Sequence, residues 1–268
     1  MDATEPALRR LATAIRLRAV AMVAPQGFGY LGQALSAAEQ YAAVYGAAYR
    51  PGTDRVVCSP GHYVIAAYAA AAETGLIDEA ALASYGQNGS SREAIGTERS
   101  PVPAFTCGSL GQGLSAAAGF ALGDRLTGRD DVRTFAFISD GELQEGQVWE
   151  AAMFAGHHRL SRLTVLLDAN NSQVDGPVDS ITTIEPVAAK WRAFGWDAVD
   201  LDGHDVAAIA AALAAGTHRP RALICRTSTR HGLACLPPDA DGHFIKLPAD
   251  LAEAAAAELR AELAAGHD

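Results

Sequence analysis

Two segments of the chain end in hard oxygen ligands. Thr134-Phe135-Ala136-Phe137-Ile138-Ser139 runs into Asp140-Gly141-Glu142, and Leu163-Thr164-Val165-Leu166-Leu167 runs into Asp168-Ala169-Asn170-Asn171. Asp140 offers a carboxylate and Asn170 an amide oxygen. These donors suit Mg2+, which takes about six oxygens and usually shares several of them with phosphate and water. Gly141 has no Cβ to hold a phosphate away from the backbone. Asp-Gly and Asn-Asn are also ordinary turn formers. What carries the reading is the pairing of the two segments, with the helical stretch Glu145 to His158 between them and the Val174-Asp175-Gly176 turn downstream. Together they predict a clamp for a divalent cation and the diphosphate it carries.

Such a clamp needs elements to hold it. Each apolar run has the length of a buried strand, and a strand–helix–strand unit predicts parallel strands with a right-handed crossover. Both oxygen ligands then fall at the carboxyl ends of neighbouring strands, where open α/β sheets bind ligands. The helix after Asp140 would aim its free N–H groups and positive dipole end at the anion.

The rest of the chain alternates in the same way. Helices are expected from Pro6 to Met22, Leu35 to Ala48, Pro60 to Gly75, Leu76 to Tyr85, Leu110 to Leu126, Pro186 to Phe194, Val206 to Ala215 and Leu251 to Ala265. Further strands are expected at Val56 to Cys58, Asp197 to Asp200 and Ala222 to Cys225. A glycine-rich loop covers Gln26 to Gln33, and a long Gly-, Ser- and Pro-rich loop covers Gly86 to Gly108. This pattern predicts an α/β fold: one doubly wound, mostly parallel sheet with helices on both faces. No repeat or linker divides residues 1–268, so a single domain is expected.

Composition narrows the function. The 268 residues are 49% hydrophobic with a net charge of −10, which suits a globular protein and argues against nucleic acid as partner. Arg9, Arg10, Arg16 and Arg18 interrupt the N-terminal apolar residues, so that segment is neither a secretory signal nor a membrane span. Cys58, Cys107, Cys225 and Cys235 have no metal-site spacing. A reducing cytoplasm is the expected location.

Three blocks, in one order, resemble the transketolase family. Ser139 to Gly146 followed by Leu167 to Gly176 resembles its thiamine diphosphate motif. Cys107-Gly108-Ser109-Leu110-Gly111-Gln112-Gly113 resembles its Gly-Ser-Leu-Gly-Gln-Gly block, and Ser59-Pro60-Gly61-His62 its Ser-x-Gly-His block. The resemblance runs from about residue 10 to about residue 245. It implies that Asp140, Asn170 and the carbonyl of Ser172 ligate Mg2+. It also implies that Gly141 and Glu142 lie at the cofactor's diphosphate, with His62 near the same end, and that Gly108 and Leu110 line the cofactor's rings. Glu145 would sit at a subunit interface near the cofactor's activation network; on its own it reads as a charge in a helix's first turn. His243, in Asp241-Gly242-His243-Phe244, falls where the family has a histidine facing substrate. A turn histidine is the other reading. His157 and His158, ending the crossover helix, read as structural.

The match covers only the first of the family's three regions. The glutamate that activates the cofactor belongs to the second region. The resemblance therefore implies the small component of a split transketolase, inactive alone and completed by a second chain in an α2β2 assembly. That component would move a two-carbon ketol unit from a ketose to an aldehyde. Two alternatives stay open: the α component of a thiamine-dependent 2-oxo acid dehydrogenase, and a noncatalytic cofactor-binding scaffold. The substrate side departs from the family. Tyr30 stands where a histidine is usual, and the loop Tyr85 to Glu93 has none. An unusual donor or acceptor is expected, with Arg92, Arg99 and His243 as candidates for gripping an anionic substrate.

Overall fold

The computed structural model describes residues 4–266. Its elements run α1 (Glu5–Val23), β1 (Phe28–Gly29), α2 (Leu31–Ala43), β2 (Arg55–Pro60), α3 (Val64–Glu73), β3 (Phe105–Cys107), α4 (Gln112–Leu126), β4 (Thr134–Ser139), α5 (Gly146–His157), β5 (Leu163–Ala169), α6 (Val178–Ile181), α7 (Val187–Ala193), β6 (Asp197–Asp202), α8 (Val206–Ala214), β7 (Arg221–Arg226), β8 (Ile245–Lys246) and α9 (Ala249–Ala265). Six strands form one sheet in the order β3-β2-β4-β5-β7-β6. Every pairing in it is parallel.

Side chains alternate across a strand, so each strand feeds two cores. Val56, Cys58, Phe135, Phe137, Leu166, Leu223 and Cys225 pack with α1, α2, α3, α8 and α9. Val57, Ala136, Ile138, Val165, Leu167, Ala222 and Ile224 pack with α4, α5 and α7 on the other face. Burial on both faces explains why the strands read as near-continuous apolar runs. Each fully buried aliphatic side chain contributes about 1.5–3 kcal/mol. In the first core Tyr41 lies flat on Phe137 with 3.8 Å between ring centroids.

The doubly wound parallel sheet is as the sequence implies, and β4 and β5 are neighbours, with Ser139 beside Asp168. Several boundaries differ, for physical reasons. The expected glycine-rich loop ends early, because α2 begins at Leu31. Gly32 lies inside that helix, and a Cβ there would meet the Gly242 carbonyl at 1.9 Å, so the glycine serves a close approach rather than a loop. Pro60 ends β2 instead of opening a helix, and a 3-10 turn at Gly61–Tyr63 leads into α3. Leu76 to Tyr85 yields a 3-10 stretch at Glu79–Ser84. The long loop hides an edge strand, β3, too short to show periodicity. A 3-10 turn, Gly141–Gln144, separates Asp140 from α5, so the first N–H groups after Asp140 belong to that turn and not to the helix. The ribbon of β1 with β8 is antiparallel and joins Phe28 to Lys246, a pairing no local pattern announces.

Candidate active site

Parallel strands put all their carboxyl ends on one edge. That edge carries Gly61-His62 after β2, Gly108 after β3, Asp140 after β4, Asn170 after β5, His204 after β6 and Thr227 after β7.

The expected clamp residues meet there. Asp140 is buried; its Oδ1 accepts from the Gly141 N–H at 2.9 Å and its Oδ2 from the Asn171 N–H at 2.6 Å. One carboxylate thus pins the turn after β4 to the turn after β5. Asn171 takes φ 57°, a left-handed conformation that asparagine tolerates. Asn170 donates from Nδ2 to Asp168 at 2.7 Å and to Tyr63 at 3.0 Å, while its Oδ1 accepts from the Ser172 N–H at 2.9 Å. Asp168 is the hub beneath. Its carboxylate also accepts from Ser36 at 2.5 Å, Tyr63 at 2.7 Å, Thr227 at 2.5 Å and Gln40 at 3.2 Å. These donors fix which way the Asn170 amide faces.

Glu142 is fully buried. Its Oε1 accepts from the Ser59 hydroxyl at 2.6 Å and the Gly111 N–H at 2.7 Å, and its Oε2 from the Ser139 N–H at 3.2 Å. The side chain expected at the cofactor's diphosphate is therefore turned inward, onto protein donors. Its role is in holding loops. Among the described residues, no Lys or Arg side chain bonds or pairs with Asp140, Glu142 or Asp168. Burial, and after it the nearby Asp168, pushes Asp140 up to about 7. Burial pushes Glu142 up to about 7 against the hydrogen bonds from Ser59, Gly111 and Ser139, and it raises Asp168 as well. Hard oxygens held desolvated without a positive charge are the donor set that fits a divalent cation.

Beside the clamp lies an aromatic mouth. Tyr30 sits 5.2 Å from His62, 5.7 Å from His243 and 5.1 Å from Phe244, ring centre to ring centre, and the two histidines are 4.9 Å apart. His243 thus joins His62, although 181 positions of the sequence separate them. Gln33 donates to its carbonyl at 3.1 Å and contacts its Nδ1 at 3.3 Å. Burial, then His243, pushes His62 down to about 3, so it is neutral at neutral pH. Burial also lowers His243, against Asp241 and a backbone hydrogen bond at Ser172. Phe28 and Phe244 are exposed at the rim, 5.5 Å apart.

Other expected residues fall nearby or aside. Gly108 is exposed and Leu110 half-buried at the loop leading into α4. Glu145 is exposed at the start of α5, with its Cβ where a side chain on Gly111 would come within 3.0 Å. Arg99 pairs with Glu93 inside its own loop. The Arg92 Nε is buried without a hydrogen-bond partner. Neither arginine bonds to the clamp or to the mouth's histidines. His157 and His158 end α5, and Arg125 donates to the His158 carbonyl at 2.6 Å, which fits a structural role.

Sequence reading missed Asp168, Ser36, Gln40 and Tyr63. The signal available was polar residues within buried apolar runs, since a buried polar group needs partners. It also missed a second cluster on the same edge. Arg16 places its Nη2 2.6 Å from both Glu39 oxygens, and His204 Nδ1 lies 3.2 Å from Glu39. Ligand atoms of Glu39, His204 and His231 lie within 4.8 Å of one another. That trio is not arranged for a metal. Arg16 already covers Glu39, and the Ser228 N–H donates to His204 Nε2 at 2.9 Å, which leaves the proton on Nδ1, facing Glu39.

The fold and the site define a parallel α/β domain whose acidic centre, glycine loops and histidines share one sheet edge. The family model for "Transketolase, thiamine diphosphate binding domain" matches residues 8–265. A transketolase family protein of Sinorhizobium fredii is 40% identical over 256 residues, covering 90% of this chain and 91% of that one. A 6-deoxy-6-sulfo-D-fructose transketolase subunit of a Clostridium species is 35% identical, covering 95% and 97%. The crystal structure of the Campylobacter jejuni transketolase superposes with a TM-score of 0.84 at 25% identity, covering 94% of this chain and 42% of that one. The chain spans a similar 42% of human transketolase, to which it is 30% identical. The chain belongs to the transketolase family, a transferase-type family, and corresponds to its thiamine diphosphate binding domain.

Proposed function

We propose that this chain is the diphosphate-binding subunit of a two-chain transketolase that works with Mg2+ and thiamine diphosphate. One observation carries the reading: the three sequence blocks meet around buried carboxylates that have no basic partner. The near-complete mutual coverage with a relative named as a transketolase subunit supports the split arrangement.

Asp140, Asn170 and the Ser172 carbonyl would hold the cation, and the backbone at Gly141 would border the diphosphate. Gly108 and Leu110 would line the rings. When bound, thiamine diphosphate supplies the electron sink through which a two-carbon ketol unit leaves a ketose and joins an aldehyde. His62, neutral at neutral pH, can donate or accept a hydrogen bond at the cofactor's edge, and His243 faces the same space. Glu145, exposed at the start of α5, is open to a partner. The partner would contribute the activating glutamate and complete an α2β2 enzyme in the cytoplasm. No helix among the described residues is long and apolar enough to cross a membrane.

Calorimetry tests the cofactor: uptake of thiamine diphosphate should require Mg2+, and no uptake even with the partner chain present would refute the proposal. Activity tests the subunit claim. The purified chain should be inactive, and turnover should appear on adding the partner. Ketose phosphates and 6-deoxy-6-sulfo-D-fructose are the donors to compare, given the replacement at Tyr30.

A further inference from the structure

The three blocks that identify this family are joined through one side chain. Ser59 comes from the end of β2, Gly111 from the turn before α4, and Ser139 from the end of β4. All three donate to the Glu142 carboxylate. The knot extends one bond further, because the Gly113 N–H donates to the Ser59 hydroxyl at 3.1 Å. Packing at that bond is tight: a Cβ on Gly113 would come within 2.4 Å of Ser59. Gly111 takes φ 82°, which suits glycine, and its N–H points inward to the carboxylate. Each joined loop carries a proposed cofactor residue one to three positions away: His62 by Ser59, Leu110 by Gly111, and Asp140 by Ser139.

We infer that Glu142 is a positioning residue, whose carboxylate sets the spacing of His62, Leu110 and Asp140 and thereby the width of the cofactor slot. Three donors, one hydroxyl and two backbone N–H groups, converge on one inward carboxylate, and the Gly113 N–H ties Ser59 to the turn before α4. A carboxylate serves because it only accepts, and all the groups facing it donate. Glutamine does not replace it, since an amide N–H₂ would face either the Ser139 N–H or the Ser59 and Gly111 donors. The cofactor arm of this inference rests on the proposed function; the loop arm does not.

The test uses Glu142→Gln in the full chain, with Asp124→Asn as control. Asp124 is a buried acid paired with Arg55 and Arg129 toward the far end of α4, so its loss costs stability away from the knot. Backbone hydrogen exchange without ligand should quicken at Gly111, Gly113 and Ser139 in Glu142→Gln and stay unchanged there in Asp124→Asn. Thiamine diphosphate affinity at saturating Mg2+ should fall about 10–100-fold in Glu142→Gln, the range for groups that orient ligand-holding residues. It should hold within about twofold in Asp124→Asn. If Glu142→Gln does not fold, Ser59→Ala decides, with faster exchange at Gly113 and a smaller loss of affinity. Unchanged exchange in the three loops overturns the inference. So does an affinity loss that merely follows thermal stability across the variants. If the wild type takes up no cofactor, the proposed function fails while exchange still decides whether Glu142 holds the loops.

Discussion

Two groups of buried acids share the carboxyl edge of the sheet, and they are treated in opposite ways. Glu39 is covered by Arg16 from α1 and by His204 from the loop after β6. Burial alone would raise it, yet Arg16 and then His204 hold it down at about 2. Asp140, Glu142 and Asp168 receive hydroxyl and amide donors but no cation, and burial holds them above the usual carboxylate range. The fold can therefore place an arginine against a buried acid on this edge, and does so at Glu39. Where it does not, the carboxylates are held by hydroxyl and amide donors alone. An unpaired charge in low dielectric costs several kcal/mol. On the proposed function, Asp140 in the second group receives a cation, whereas Glu39 in the first is a permanent strut.

The sharpest way to break this contrast is at Asp140. Asp140→Ala should abolish magnesium-dependent cofactor uptake in calorimetry while raising the melting temperature of the ligand-free chain, because an uncompensated buried acid is gone. A variant that still binds with wild-type affinity would remove Asp140 from the clamp. Next in size is Arg16→Met. It leaves Glu39 buried without its arginine, with only the histidines His204 and His231 beside it, and should cost about 3–5 kcal/mol in urea unfolding, with magnesium affinity little changed in the fraction that folds. Asp168→Asn should come third. It frees the Asn170 amide to turn, and should weaken magnesium binding about 10–100-fold with only a modest loss of stability. Equal loss of stability and affinity would mean that Asp168 is structural only.

The smallest effect is the pH response of the strut. Glu39 has a depressed folded-state pKa, so the stability it contributes is present above its unfolded value. It is lost as pH falls through the interval between about 4.5 and about 2. Acid titration of unfolding should show that loss in the wild type and a flatter profile in the double variant Arg16→Met, Glu39→Met.

Much of this was visible in the chain itself. Strands buried on both faces write long apolar runs, so β4, β5 and β7 stood out, and the two candidate ligands, Asp140 and Asn170, were expected where the structure has them, just past the ends of β4 and β5. Asp140, Asn170 and His62 lie within compact motifs, and their placement on one edge follows from parallel topology alone. Glu142 was found but its direction was not, because nothing local distinguishes a carboxylate facing a ligand from one facing three inward donors. Ser36, Gln40 and Tyr63 escaped notice because their partner, Asp168, is remote in sequence. Gly32 read as loop because a helical glycine shows its reason only when the Gly242 carbonyl is seen against it. Arg16 was only one of four arginines interrupting the N-terminal apolar residues, and tertiary packing alone shows it buried.

The β1–β8 ribbon has a consequence for assembly in time. Phe28 and Lys246 pair across nearly the full length of the polypeptide, and α1 lies against α9. Closing so long a segment carries an entropic toll that local contacts cannot offset early. The parallel sheet can settle first, while the aromatic gateway, which needs Tyr30 from near one end and His243 and Phe244 from near the other, forms late. Ribosomal synthesis would then yield a chain whose buried acidic centre matures before its entrance does.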